Sequence, residues 1–410
     1  MRRADALSDG AGTLVPVDRP LIVQSHLRWD FVWQRPQQLL SRLAEHRRVL
    51  FVEEPIFLDD VSAPRLDVTI PRANVFRAVP RLPGALRDDC ERGTAEIRSL
   101  VQFAISPGGE LKRLFNNPVQ WFYSPFSAPA MLGAFNEVAV VYDCMDELSQ
   151  FRFAHPDLVR RERLLLANAD VVFTGGYKLY ESKRRYHHNV HFFGCGVDSR
   201  HFGKARLPET QIPADIASLP KPIFGYFGVI DERIDYNLIG ALAEQRPDAS
   251  IVMVGPVVKV DPAALPQRSN IHWLGQRDYS SLPGYVKGFS VCLMPFALNE
   301  ATEFINPTKT LEYMAAGKPI VSTAVPDVVR NFTPVVQIAR SARDFVSLAS
   351  QAAVNPDHTL IAQGLEKAAA ASWESIVGKM RRLIGEVSET TRPSMRVVRR
   401  LIPVGELAVQ

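Results

Sequence analysis

The 410-residue chain lacks the features that would place it in a membrane or outside the cell. No apolar run approaches the roughly 20 residues that a membrane-spanning helix needs. The first 16 residues carry charge but no apolar core of the kind found in secretion signals. The four cysteines include no C-x-x-C pair, which indicates buried thiols in a reducing compartment. We therefore expect a cytoplasmic protein in which residues 1–19 form a disordered lead.

Several binding motifs are also missing. No G-x-G-x-x-G lies in a strand–turn–helix context, which argues against a dinucleotide-dependent dehydrogenase. No D-x-D occurs in a suitable loop, and His187 with His188 lacks a convincing set of carboxylates or thiols, so no metal and no cofactor are predicted. A net charge of +4 is too small to indicate nucleic acid as a partner. Basic residues between positions 152 and 188 leave two interpretations open, a solvated helix face or an anionic membrane surface.

Strand-like and helix-like segments alternate along most of the chain, which predicts parallel sheets flanked by helices. A first series covers residues 20–203, and a second covers residues 223–370. Residues 204–222 contain four prolines and are predicted to be a linker. The amphipathic stretch 371–387 is predicted to be a helix that crosses back to the first domain, followed by a tail at 388–410. The predicted fold is α/β, with two Rossmann-like domains that face each other across a cleft.

Residues 306–321, NPTKTLEYMAAGKPIV, are the most informative segment. Pro-Thr-Lys predicts a helix start with free N–H groups beside a cation, which suits a phosphate. Glu312 follows one turn later, where a carboxylate can accept hydrogen bonds from sugar hydroxyls. Gly228 ends a predicted strand, at the edge where open α/β sheets bind ligands. An ordinary helix followed by a strand is the alternative interpretation.

The order of the motifs along almost the whole chain resembles one family of enzymes. The matching motifs are SHLRWDFVWQRPQQLL (25–40), VLFVEEP (49–55), VYDCMDELSQF (141–151), ADVVFTGG with GCGVD (169–198), FGYFGVIDERIDYNLI (224–239), NIHWLGQRDYSSLPGYVKGFSVCLMPF (270–296) and the segment 306–321. Together they resemble the family-4-like, or group 1, glycosyltransferases of the GT-B fold, from bacterial exopolysaccharide and teichuronic-acid-type pathways.

This resemblance implies a hexosyltransferase-type enzyme that is retaining and metal-independent. It would move a sugar from a nucleotide diphosphate sugar to a glycan or polyprenyl-linked acceptor in cell-surface polysaccharide biosynthesis. The second domain would hold the donor and the first domain mainly the acceptor. Peripheral contact with the inner face of the membrane would follow from a polyprenyl-linked acceptor.

The resemblance also implies a donor site. Similar enzymes place a basic pair against the donor diphosphate and a Glu-x7-Glu pattern near the sugar and ribose, and Phe304 stands at the first position of that pattern. Either Glu303 is brought in by a shifted loop, or this chain recognises the sugar without that carboxylate. The donor-binding residues expected here are Gly228, Arg233, Thr308, Lys309 and Glu312.

Two loops of the first domain carry the acceptor-side expectations. Asp30, Trp33 and Arg35 combine an aromatic ring with charged groups, which suits sugar binding, although Trp33 fits core or interdomain packing equally well. Three residues are candidates for the catalytic base: His26, Asp143 and Asp146. Inverting GT-B enzymes place a catalytic His after the first strand. In a retaining enzyme the leaving phosphate can accept the proton instead.

Two other functions remain open at this stage. A nucleotide-sugar epimerase of the same fold would need the same donor site. A non-catalytic sugar- or nucleotide-binding module is favoured by Phe304 and by Tyr142 and Asp143, which stand where similar retaining enzymes carry a His-Asp pair.

Overall fold

The computed structural model describes residues 18–60, 62–151 and 154–390. Most of the predicted lead, and the predicted tail beyond residue 390, therefore lie outside the described residues. Asp18, which was predicted to belong to the lead, pairs with Arg47 at 2.8 Å and with Arg381. No helix in the described ranges is long and apolar enough to cross a membrane.

The first domain is built on a sheet whose strands come from residues 21–192. These strands are β1 (Leu21–Gln24), β2 (Val49–Val52), β3 (Ile56–Leu58), β4 (Arg65–Arg72), β5 (Val75–Pro83), β6 (Val119–Phe122), β7 (Ala139–Cys144), β8 (Val171–Thr174) and β9 (Val190–Phe192). They are ordered β3-β5-β2-β1-β6-β7-β8-β9, and β4 pairs with β5 in an antiparallel arrangement. The central strands are buried along their whole length, as expected for a parallel sheet covered on both faces.

Helices cover both faces of this sheet. They are α1 (Arg35–Leu43), α2 (Cys90–Ile105), α3 (Ala128–Met131), α4 (Leu158–Asn168), α5 (Tyr177–Lys183) and α6 (Ser199–Gly203). One apolar core lies between the sheet and α1, and another lies beneath α2, α3 and α4.

The second domain contains six strands, all parallel, in the order β12-β11-β10-β13-β14-β15. They are β10 (Ile223–Phe227), β11 (Ser250–Val254), β12 (Ile271–Gly275), β13 (Val291–Met294), β14 (Ile320–Thr323) and β15 (Val336–Ala339). The remaining α-helices are α7 (Ala214–Ala217), within the linker, and then α8 (Tyr236–Gln245), α9 (Leu282–Gly288), α10 (Glu300–Glu303), α11 (Lys309–Ala315), α12 (Pro326–Phe332), α13 (Ala342–Val354), α14 (His358–Ala370) and α15 (Trp373–Thr390).

The connection at residues 204–222 packs against the second domain. Ile216 of α7 is fully buried in the core of that domain. A Cβ atom on Gly288 of α9 would lie 2.7 Å from its side chain, so the two helices are in close contact. The ammonium of Lys287 also donates to the Leu207 carbonyl at 2.6 Å. The proline-rich segment is thus fixed in place on the second domain.

The long helix α15 returns to the first domain. Trp373, Val377, Met380 and Ile384 are buried in the core beneath α1. The apolar face that the sequence pattern indicates is therefore covered by the other domain.

Direct hydrogen bonds join the two domains around the space between them. The Gln38 amide donates to the Tyr279 hydroxyl at 3.0 Å, and the backbone N–H of Tyr177 donates to Asp327 at 2.6 Å. The carboxyl ends of the two sheets face this space. Loops at the carboxyl ends of parallel strands are where α/β proteins bind ligands, so the fold positions a site there.

Candidate active site

A cleft of about 380 Å³ lies between the two domains. Its volume is within the range of pockets that hold small-molecule ligands. Nine of the residues predicted from the sequence line it: Asp30, Trp33, Arg35, Asp146, Gly228, Arg233, Thr308, Lys309 and Glu312. His26 and Asp143 are not part of its lining.

Gly228 makes room for the side chain of Lys309. A Cβ atom at position 228 would lie 2.0 Å from the Cε atom of Lys309 and 2.5 Å from its Nζ atom. The φ angle of Gly228 is +142°, a conformation that favours glycine. Gly255 on the neighbouring loop has φ +146°, and a Cβ atom there would lie 1.8 Å from the Gly228 carbonyl oxygen. Two glycines on adjacent loops thus create the channel that the lysine occupies.

Arg233 is held beside this lysine by Asp231. Its guanidinium donates to both carboxylate oxygens of Asp231 at 2.8–3.1 Å. Burial lowers the pKa of Lys309, and the neighbouring Arg233 charge lowers it further, whereas Glu312 opposes the change. Two positive charges held close together in an empty site repel each other. A bound anion relieves this repulsion, so the pair favours an anionic ligand. This arrangement suits a diphosphate.

Glu312 lies one turn along α11 and also lines the cleft. Burial raises the pKa of its carboxyl group to about 7, and Lys309 partly offsets this effect. None of the hydrogen bonds found among the described residues uses its carboxylate oxygens. The group is therefore available to accept hydrogen bonds from ligand hydroxyls.

The sugar end of the donor site has no carboxylate from the preceding loop. Glu303 is 48% exposed at its side chain and pairs with Lys178 of the first domain at 3.5 Å, so it does not enter the cleft. Phe304 packs against the core of the first domain. Of the two alternatives drawn from the sequence, the structure favours a site without this carboxylate.

Asn306 offers a polar atom in its place. Its amide N–H donates to the Gly175 carbonyl at 3.1 Å, and its backbone carbonyl accepts from the Cys195 thiol at 2.9 Å. The side-chain oxygen is buried and has no partner in the described part of the chain, although Asn306 lines the cleft. Buried oxygens are nearly always hydrogen-bonded, so this atom is suited to a ligand hydroxyl.

Asp143 was a candidate base, and the structure contradicts that role. Its side chain is 0% exposed and forms an ion pair with Arg35, which is itself only 3% exposed. The Arg35 guanidinium donates to both Asp143 oxygens at 2.9–3.3 Å and to the Phe193 carbonyl at 2.9 Å. Asp143 is buried because it belongs to β7, a central strand that is covered along its whole length. Arg35 also lines the cleft, where it was predicted to bind the acceptor. Its guanidinium N–H groups are instead engaged by Asp143 and by the Phe193 carbonyl.

His26 lies outside the cleft, which corrects the prediction that it acts there as a base. It lines a separate cavity in the first domain. Burial, and to a smaller extent Lys259, lowers its pKa to about 4, so the imidazole is neutral near pH 7.

Asp146 is the candidate base that does face the cleft. Burial raises the pKa of its carboxyl group, whereas the Arg233 charge lowers it. Asp146 therefore lies near the cation expected to bind the donor diphosphate. It comes three residues after the buried Asp143, where the chain has left the strand.

Asp30 and Trp33 also border the cleft. The Asp30 carboxylate is exposed and pairs with Arg77. The Trp33 ring lies 6.0 Å from the ring of Tyr279 in the second domain. Trp33 is therefore an interdomain contact as well as part of the cleft wall.

The sequence did not single out Tyr279 or Gly255. Tyr279 stacks on His201 with ring centroids 4.2 Å apart, a contact between residues far apart in the chain. Gly255 follows the apolar strand β11, as Gly228 follows β10. That repeated strand–glycine pattern is a signal that the sequence did carry.

Basic residues between positions 152 and 188 are mostly paired where the structure describes them. Lys183 is buried between Glu147 and Glu162 at 2.6 and 2.8 Å. Arg160 and Arg161 both pair with Asp157. These pairs favour the interpretation as ordinary surface and packing charges. Arg152 lies outside the described residues.

Within residues 18–60, 62–151 and 154–390, no three His, Cys, Asp or Glu side chains lie close enough together to hold a metal ion.

Comparison with known proteins assigns the second domain. The sequence profile of the family described as Glycosyl transferases group 1 matches residues 221–352. The second domain is a group 1 glycosyltransferase domain. The putative teichuronic acid biosynthesis glycosyltransferase TuaH of Bacillus subtilis (strain 168) is 25% identical to this chain over 236 residues. That similarity covers 53% of this chain and 58% of the relative.

Solved structures show that the arrangement of the two domains is the GT-B fold. Sucrose-phosphate synthase from Thermosynechococcus elongatus is similar over 91% of this chain and 100% of its own, with a TM-score of 0.68 and 18% identity. Anabaena Alr3699/HepE, whose structure contains UDP and glucose, is similar over 90% of this chain and 100% of its own, with a TM-score of 0.65 and 12% identity. The resemblance to group 1 glycosyltransferases of the GT-B fold is thereby confirmed.

Proposed function

We propose that this protein is a glycosyltransferase that uses a nucleotide diphosphate sugar as donor. One observation carries the proposal: Lys309, Arg233 and Glu312 of the second domain face Asp146 of the first domain across a single cleft. The two cations suit a diphosphate, and the carboxylate suits hydroxyls. The group 1 assignment of the second domain and the GT-B fold support the same activity.

The donor would bind with its diphosphate against Lys309 and Arg233. Glu312 would accept hydrogen bonds from the ribose, and Thr308 would add a polar contact beside it. The buried oxygen of Asn306 would receive a hydroxyl of the sugar. This assignment gives the unpaired side-chain oxygen of Asn306 a partner.

During transfer, the bond between the anomeric carbon and the donor phosphate oxygen breaks, and a bond to the acceptor hydroxyl oxygen forms. Positive charge fixed beside the leaving diphosphate stabilises the charge that develops on it. The proton of the acceptor hydroxyl passes to the leaving phosphate, with Asp146 orienting the hydroxyl. We propose retention of configuration because His26, at the position where inverting enzymes place a base, lies outside the cleft.

The acceptor is proposed to be a glycan or polyprenyl-linked sugar in cell-surface polysaccharide synthesis. This proposal is supported by the similarity to TuaH, whose name refers to teichuronic acid biosynthesis. Catalysis without a metal ion also belongs to the proposal, since Lys309 and Arg233 supply the positive charge that a metal would otherwise provide.

The test is a calorimetric screen of the full-length protein against UDP-, GDP- and dTDP-sugars, with and without EDTA. We expect one nucleotide series to bind and Lys309→Ala to weaken that binding at least tenfold. Glu244→Ala, an exposed substitution on α8, is the control and should bind as the wild type does. Unchanged donor binding by Lys309→Ala would contradict the donor-site assignment.

Product analysis then separates the three functions. A glycosyltransferase releases nucleoside diphosphate and forms a new glycoside when an acceptor is present, and NMR of the anomeric proton shows whether configuration is retained. An epimerase changes the sugar without any acceptor. A binding module binds the donor and releases no nucleoside diphosphate.

A further inference from the structure

A second cavity of about 200 Å³ lies within the first domain, at the carboxyl ends of β1 and β2 and beneath α2. Most of its wall is apolar. The apolar side chains that line it are Val52, Phe57, Leu86, Ile97, Phe126 and Met131. Drug-sized ligands occupy pockets of about 300–1,000 Å³, so this cavity fits one chemical group of a ligand.

Two polar atoms on the wall lack partners. The side-chain nitrogen Nε2 of Gln24 and the ring nitrogen Nδ1 of His26 are buried without a hydrogen bond in the described ranges. Gln24 is only 4% exposed. A buried polar group without a partner costs about 1–3 kcal/mol, and both residues line this cavity. A ligand that places an oxygen there would satisfy them.

Three carboxylates and one guanidinium, that of Arg87, line the cavity, which disfavours an anionic group inside it. Glu53, Glu54 and Asp89 all belong to the lining. Burial raises the pKa of Glu54, whereas the charges of Arg28 and Lys259 lower it. The guanidinium of Arg87 lies 5.9 Å from the centre of the Phe57 ring and covers an apolar part of the wall. The expected occupant is uncharged.

Phe151 of the first domain contacts two cations of the second domain, Arg233 and Lys259. Lys259 of the second domain acts on the pKa values of both His26 and Glu54 in the cavity. The Lys259 ammonium lies 5.5 Å from the centre of the Phe151 ring. On the same ring, the Arg233 guanidinium lies 5.8 Å from the centre. The Phe151 ring thus lies next to Arg233, which lines the cleft, and next to Lys259.

We propose that the cavity binds an uncharged, mainly apolar group of the acceptor, such as an aryl or short branched alkyl group that carries an oxygen at its inner end. The sugar part of the acceptor then lies over Phe151 and presents its hydroxyl to the cleft. This inference rests on the proposed transferase function for the identity of the occupant. An apolar cavity of about 150 Å³ can hold benzene, so a phenyl group fits the available volume.

Phenyl β-D-glucopyranoside is the probe, and methyl β-D-glucopyranoside is its matched control. Both are titrated into the full-length protein by calorimetry, and the donor-site ligand UDP is titrated into the same samples. We expect the phenyl glucoside to bind at least tenfold more tightly than the methyl glucoside. Equal affinities for the two glucosides would overturn the proposal.

Gly93 of α2 allows the cavity to be filled from its wall. A Cβ atom there would lie 3.7 Å from the Leu86 carbonyl and 3.8 Å from Leu82, which is ordinary contact. Gly93→Ala should therefore keep the preference for the phenyl glucoside. Gly93→Leu should abolish it, while UDP binding stays the same and shows that the protein is folded.

Gln24→Met is a second variant. Methionine has a side-chain volume similar to that of glutamine, so this substitution removes the amide group without filling the cavity. We expect it to weaken binding of 4-hydroxyphenyl β-D-glucopyranoside, which carries an oxygen at the inner end of its ring, by about fivefold to tenfold, because that oxygen would lose its donor. Binding of the phenyl glucoside, which lacks this oxygen, should be unchanged. A Gly93→Leu protein that binds UDP and still prefers the phenyl glucoside would refute the cavity as the site. Phenyl glucoside binding without any nucleotide or nucleotide-sugar binding would support the cavity and refute the proposed function.

Discussion

The side chain of Lys309 runs through the space that a Cβ atom on residue 228 would occupy, with its Cε atom 2.0 Å from that position. Gly228→Ala must therefore displace the lysine, and its φ of +142° adds backbone strain. We expect the affinity for the nucleotide sugar to fall at least tenfold, or about 1.4 kcal/mol. Calorimetry with the donor identified by the screen measures this change.

Gly275→Ala is the matched control for this substitution. Gly275 also has a positive φ, +70°, but a Cβ atom there would meet nothing within 4 Å. Its cost should be confined to backbone strain of about 1 kcal/mol in the free energy of unfolding. If Gly275→Ala weakened donor binding as much as Gly228→Ala, strain would explain the loss and the displacement of Lys309 would not.

Glu312 should make donor binding depend on pH. Burial raises the pKa of its carboxyl group to about 7, above the ordinary value of 4.5. Ribose hydroxyls donate to the ionised carboxylate, so the affinity for a nucleotide sugar should rise as the pH increases from 6 to 8. A nucleotide sugar is used because, unlike a free diphosphate, it has no terminal phosphate with a pKa near 6.

Folding stability should change in the opposite direction. Because the pKa of Glu312 is higher in the folded protein, the folded state binds more protons between about pH 4.5 and 7. The contribution of Glu312 to stability is therefore lost as the pH rises through this window. Glu312→Gln should remove both pH dependences, as measured by calorimetry and by urea unfolding at pH 6 and 8. A Gln variant that retained the wild-type pH profile of donor affinity would assign the effect to another group.

Asn306 should distinguish a nucleotide sugar from the free nucleoside diphosphate. Asn306→Ala removes the buried oxygen without altering the cations, so we expect weaker binding of the nucleotide sugar by about fivefold to tenfold. Binding of the diphosphate alone should be unchanged. Asn306→Asp keeps a side-chain oxygen but can no longer donate a hydrogen bond to the Gly175 carbonyl. It therefore tests whether the loss of that interdomain hydrogen bond is responsible for the weaker binding of the nucleotide sugar.

The sequence predicted the fold because the central strands are short apolar runs separated by amphipathic helices. The apolar pattern is weakest at β4. Strand β4 is largely exposed and pairs antiparallel with β5, so it carries no continuous apolar signal. Periodicity detects burial, and this edge hairpin has little of it.

The candidate site was predictable where it depended on local sequence. Lys309 and Glu312 are one turn apart on one helix, and both line the cleft. By contrast, nothing in the sequence distinguished Asp143 from Asp146. The partner that buries Asp143 is Arg35, which is 108 residues away. Contacts over such distances depend on how the two chain segments pack, and a single sequence does not reveal them.

Asp143 and Asp146 should therefore give opposite results when each is changed to asparagine. Asp143→Asn leaves the buried Arg35 charge without its partner, which is expected to cost about 3–5 kcal/mol of stability.

Asp146→Asn removes a carboxyl group whose pKa is raised by burial, so stability should be kept or slightly increased. Its kcat for transfer should fall about 100-fold, because the acceptor hydroxyl is no longer oriented by a carboxylate. Urea unfolding and the rate of nucleoside diphosphate release measure the two effects. Wild-type stability of Asp143→Asn would contradict the ion pair, and wild-type turnover of Asp146→Asn would contradict the role of Asp146 in the reaction.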